Sequence, residues 1–159
     1  RMSSIIIKIS LVYILVKFAY GKVLSAEIEI TSQTMEWKRE ENIAIASGEA
    51  KAVQGNRILN AEKIIVFFNK KEEKKNIYKL DASGNVRFIS GSQIATGEFA
   101  SYFVDDEKVI IKGNVRLKRD DSLMIGEELS IDLKNSSSKL ISGSNSGKVK
   151  VKYKTEDKQ

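Results

Sequence analysis

The residues able to do chemistry in this chain are few, and nearly all are carboxylates. Asp105, Asp106 and Glu107 form one group, Asp120 and Asp121 a second, Glu127 and Glu128 a third. A pair of carboxylates can hydrolyse a glycosidic bond, one as acid and the other as base or nucleophile. The first two groups, however, fall where tight turns are expected, and aspartate is favoured in turns for backbone reasons. With no histidine and no cysteine in the 159 residues, histidine-based triads, the common zinc sites, thiolate metal sites and disulfides are all excluded. The residues imply neither an enzyme nor a cofactor.

The turns that hold these acids separate short runs of alternating polarity. Ala82-Ser83-Gly84-Asn85-Val86-Arg87-Phe88 is echoed by Ile111-Lys112-Gly113-Asn114-Val115-Arg116-Leu117 and, more faintly, by Ala46-Ser47-Gly48-Glu49-Ala50-Lys51-Ala52. A second unit, Gly97-Glu98-Phe99-Ala100-Ser101-Tyr102-Phe103-Val104, is echoed by Gly126-Glu127-Glu128-Leu129-Ser130-Ile131-Asp132-Leu133. Gly84 to Gly113 and Gly97 to Gly126 are both 29 residues apart. Gly48 to Gly84 and Ala61 to Gly97 are both 36 apart, which one insertion explains, and the charged run 70–76 is the candidate. The pattern is an internal repeat of about 30 residues built from strands and turns.

Side chains alternate across a strand, so residues two apart share a face. One face collects Ala44, Ala46, Ala50 and Ala52; Ile64, Val66 and Phe68; Val86 and Phe88; Tyr102; Val115 and Leu117; Leu129 and Ile131. The other collects Lys108, Lys112, Asn114, Arg116 and Lys118 in one copy and Lys79, Asp81, Asn85 and Arg87 in another. A glycine inside each first unit marks a bend, bulge or close backbone approach. The fold class is all-β: stacked, bent antiparallel strands, with an ordinary β-sandwich as the alternative. The alanines of the first rung imply either a roomier end of the apolar interior or space filled by Trp37 or Phe68.

Residues 1–26 open with basic character, run through Ile9–Val16 and end in small residues, the pattern of a signal peptide cut near 21–26. Lys8 and Lys17 shorten the apolar run below the roughly 20 residues that span a bilayer, so a retained anchor is the weaker alternative. Removing the segment lowers the formal charge from +6 to +2, so the basic balance is largely the leader's. The other lysines alternate with apolar residues, as on a solvated sheet face, and Phe68, Phe88 and Tyr102 fall on the apolar face. Neither pattern makes a nucleic-acid surface. Residues 27–153 form one domain, with 27–42 adding an edge strand, Ser142–Gly147 a flexible link, Lys148–Tyr153 a last strand and 154–159 a frayed tail.

SGEAKAVQGNRILNAEKIIVFF, ASGNVRF, IATGEFASYFVDDEKVIIKGNVRL and LMIGEELSIDL together resemble the OstA-like (LptA) family of periplasmic lipopolysaccharide-transport proteins. The resemblance implies an open β-jellyroll whose apolar interior holds the acyl chains of lipid A. It also implies strand-edge partners: an LptC-like inner-membrane protein at the N-terminal edge, an LptD-like outer-membrane protein at the C-terminal edge, and further copies head to tail. The chain departs from the family in its lysine-rich insertion 70–76. A membrane-anchored LptC-like protein and a secreted β-rich module that binds no lipid remain the alternatives.

Overall fold

The computed structural model describes residues 27–71, 74–143 and 147–155. The leader 1–26 and tail residues 156–159 lie outside them, as do 72–73 of the insertion and 144–146 of the link. Strands form wherever the alternating runs stand: β1 (Glu29–Thr31), β2 (Thr34–Lys38), β3 (Ile43–Gln54), β4 (Arg57–Lys71) and β5 (Lys74–Ser90). They continue as β6 (Gln93–Phe103), β7 (Lys108–Arg119), β8 (Ser122–Asp132), β9 (Ser137–Ile141) and β10 (Lys150–Tyr153). All belong to one antiparallel sheet, in which β3 to β8 follow one another in order. The chain simply goes back and forth, as short hairpin connections require.

Each long strand bends near its middle. Pairing skips between Ser47 and Ala50, Ser83 and Val86, and Lys112 and Val115. At those skips Gly48-Glu49, Gly84-Asn85 and Gly113-Asn114 each take left-handed backbone angles in both residues. Glycine does so freely, and asparagine more readily than most other residues. A glutamate on the preceding strand secures two of these bends: Asn85 donates its side-chain amide to Glu62 at 2.8 Å, and Asn114 does the same to Glu98 at 3.0 Å. The two recurring sequence units thus meet in space, with the acid of one bracing the Gly-Asn of the next. Small residues sit opposite the bends, since Ala50 pairs with Ala61, Val86 with Gly97 and Val115 with Gly126.

The bends fold the sheet into a V with two facing arms. One arm carries the β3–β4, β5–β6 and β7–β8 turns at its tips; the other carries the β2–β3, β4–β5, β6–β7 and β8–β9 turns. Inner side chains line up in rows across the rungs. Met35, Ala46, Ile64, Ala82, Ala100, Ile111, Leu129 and Leu140 form one row by strand register. Apart from the Tyr102 hydroxyl, no buried side chain among the described residues is polar or charged. An inner face can be this apolar only because the second arm covers the first.

The ends differ from the sequence reading. The leader 27–42 yields two short strands rather than one, because β1 pairs with the far half of β3 and β2 with its near half. The C-terminal edge is likewise double: β10 pairs with 122–125 of β8, while β9, which the sequence reading missed, pairs with 128–132. Strand structure starts at Lys150 rather than Lys148. Lys154 still donates its backbone N–H to Asp121 at 3.0 Å. The insertion lengthens the β4–β5 hairpin, with Asn69 opposite Asn76 and Lys70 opposite Lys75.

Candidate functional site

The candidate site is the apolar interior between the arms, packed as one continuous core. Its walls are the inner residues of β3 to β8, and the sequence-predicted set falls on them almost without exception. Ala44, Ala46, Ala50, Ala52, Ile64, Val66, Val86, Phe88, Tyr102, Val115, Leu117, Leu129 and Ile131 are all buried, and Phe68 is partly buried against the same cluster. Leu59, Ala61 and Ala95 join the core without having been singled out in the sequence. Leu59 and Ala95 stand on the segments between bend and turn, where the repeat is least similar in sequence. Trp37 does not fill the space over the first-rung alanines, being 67% exposed. Met35, paired opposite Ala46, packs against them instead.

A polar clasp closes the mouth of the V. Arg57, beside the β3–β4 turn, donates from Nη1 to the Tyr102 hydroxyl at 3.2 Å and to Glu107 Oε1 at 3.0 Å. Tyr102 in turn donates to Gln54 Oε1. Gln54 and Arg57 belong to one arm, Tyr102 and Glu107 to the other, so the four residues tie the arms together. A second tie runs from Arg119 Nη2 to Ser138 Oγ at 3.2 Å. Burial works against the Arg57 charge, but its hydrogen bonds to Tyr102 and Glu107 outweigh that effect and hold its pKa above the ordinary value. Burial pushes the Tyr102 hydroxyl above its usual range, with Arg57 pulling the other way.

Nothing in the local sequence announces the clasp, because Arg57 and Glu107 are 50 residues apart and meet only when the sheet folds on itself. It also gives Glu107, one of the turn acids, a structural partner. Among the described residues no three of Asp, Glu, His and Cys gather to hold a metal ion.

A family model described as LptA/(LptD N-terminal domain) LPS transport protein matches residues 29–137. The chain belongs to this family. The matched span begins with β1 and ends at the start of β9, so it takes in both arms and the clasp. The chain is 30% identical over 112 residues to an uncharacterized protein of Rhizobium meliloti, covering 67% of this chain and 60% of that protein. It is also 32% identical over 62 residues to the LPS-assembly protein LptD of Nitrosomonas europaea, covering 39% of this chain and 9% of that protein. The chain therefore spans less than two thirds of these relatives. Among solved structures it is similar to LptH, described as the LptA-homologous periplasmic component of the lipopolysaccharide transport device of Pseudomonas aeruginosa. That likeness has a TM-score of 0.72 at 14% identity and covers 82% of this chain and 96% of the other. It establishes the fold, the open jellyroll that the family resemblance implied.

Losing the clasp should be measurable. Tyr102→Phe keeps the ring and removes one buried hydroxyl, a change expected to cost about 1–2 kcal/mol at neutral pH. The raised pKa sets the pH window. A hydroxyl whose folded pKa exceeds its unfolded value contributes fully below the ordinary tyrosine range of about pH 10, and that contribution is lost as pH rises through the folded value. Urea titrations of both proteins from pH 7 upward should therefore show the gap between them narrowing at the alkaline end. A gap constant across that range would deny the hydroxyl its role.

Proposed function

We propose that this chain is a periplasmic carrier and bridge for lipopolysaccharide, handing it from the inner to the outer membrane along the apolar interior between the arms. One observation carries the reading: the apolar rows run through every rung from one open edge of the sheet to the other, as a path for long acyl chains requires. The open edges support the other half of the proposal. Each exposes unpaired N–H and C=O groups that strand addition would satisfy. An LptC-like protein would take the β1/β2 edge and an LptD-like protein the β9/β10 edge, with copies of the chain joining head to tail between them. Secretion through residues 1–26 would place the protein there, and its role would be transport rather than catalysis.

Photo-crosslinking tests the path. Groups placed at Val86, Phe88, Tyr102, Val115, Leu117, Leu129 and Ile131 should capture lipopolysaccharide in cells, whereas groups at the outward Arg87 and Arg116 should not. Equal capture on both faces would sink the proposal.

A further inference from the structure

The N-terminal corner of the apolar interior is built differently from the rest. Trp37 lies on the inner row with Ala44, yet it is 67% exposed. The cross-mouth bonds run from the first turn of one arm, β3–β4, to the third turn of the other, β6–β7. Sheet twist offsets the arms in this way. At this corner a pocket of about 450 Å³ opens, walled by Trp37 and Phe68 and bordered by Lys38, Arg39 and Lys75. No acidic side chain is among the described residues lining it; Glu40 and Glu41 share the β2–β3 turn but do not line it.

The position of Lys75 follows from a second irregularity. Pairing skips between Phe67 and Phe68, which leaves Tyr78 unpaired and sets Ile77 opposite Phe68. The skip changes the phase of the alternation. Phe68 and Ile77 pack toward the core, and Lys75, two residues before Ile77, lines the corner pocket with Phe68. The register also sets Lys70 opposite Lys75. Like charges directly opposite one another in a sheet are unfavourable, and an anion placed between them relieves the repulsion.

We propose that this corner is a head-group site for a phosphorylated amphiphile. The phosphate would be held by Lys38, Arg39 and Lys75, the first apolar part of the molecule would lie against the Trp37 and Phe68 rings, and its tail would continue between the arms beside Phe68. The inference rests on the lipid-carrier reading above and adds the site at which the charged end is recognised. Guanidinium and ammonium groups suit phosphate, and an indole offers a broad apolar face beside them.

Trp37 is the chain's single tryptophan, so its fluorescence reports on this corner alone. The purified protein is titrated with lipid A dispersed in neutral detergent, with dephosphorylated lipid A and with inorganic phosphate, while native mass spectrometry counts bound lipid. Lipid A is expected to give a saturable shift in emission. Dephosphorylation, or the double change Arg39→Gln with Lys75→Gln, should weaken the apparent affinity by about tenfold or more. The double variant is checked for an unchanged thermal midpoint, and Arg39→Lys, which keeps the charge, should retain most of the affinity. Inorganic phosphate should leave the emission unmoved. Lipid bound by mass with Trp37 silent, or equal affinity with and without phosphate groups, would overturn this site and leave the carrier reading standing. A shift with inorganic phosphate alone would replace the amphiphile with a free-anion site. Failure to bind lipid by either readout would overturn both proposals.

Discussion

Leu129→Ala is expected to cost the lipid-free protein about 2–5 kcal/mol, a large part of a typical domain's total stability. Leu129 is 0% exposed and is flanked in its row by Ile111 on β7 and Leu140 on β9. Its γ and δ carbons therefore have close neighbours on both sides. Strand ladders hold the two sides at fixed spacing, so the cavity would collapse only in part. The same substitution also distinguishes a dry interior from a lipid-filled one. If acyl chains run along this row, they should occupy the vacated space, and added lipopolysaccharide should restore more of the thermal midpoint in the variant than it adds to the parent protein. Calorimetry with and without lipopolysaccharide makes the comparison. An equal shift in both proteins would mean that lipid never reaches Leu129.

Gly113→Ala should cost about 2–3 kcal/mol, whereas Gly91→Ala should cost only about 1 kcal/mol. Both positions have left-handed backbone angles, φ of 87° and 59°, so both variants bear a conformational penalty. The surroundings differ. A methyl group at Gly91, in the β5–β6 turn, would meet nothing within 4 Å. At Gly113 it would lie 2.6 Å from Glu98 Oε2 and 2.9 Å from Glu98 Cβ. To make room, Glu98 would have to leave the Asn114 amide that it braces, so the bend would lose its support as well as its geometry. Urea unfolding of the two variants side by side isolates this second effect. Equal losses would show that Glu98 moves aside freely and contributes little to the bend.

The inner face was legible in the sequence because an alternation of period two, repeated on rung after rung, leaves few alternative folds. The bends were legible because glycine inside an apolar alternation has little reason to be there otherwise. Features set by tertiary geometry were not legible. The bulge at Tyr78 is hidden because an aromatic there continues the alternation from Leu80 and Ala82, yet Tyr78 turns outward, its ring tilted against Phe67. Strand β9, SSKLI, is too polar to read as a strand and is held by the ladder of β8, with Leu140 alone among its residues packed against the core. The clasp joins residues 45 to 50 positions apart, with no spacing rule to connect them.

The glutamate that braces each Gly-Asn bend belongs to the strand immediately before it, and this locality bears on how such a molecule could have grown. A bend needs only its own residues and one neighbour, so a duplicated hairpin carries its own instructions and asks nothing of the rungs already present. Each added hairpin would extend the stack by two strand spacings, roughly 10 Å. The reach of the protein is then set by counting hairpins, and natural selection could adjust it in whole steps without redesigning an interior.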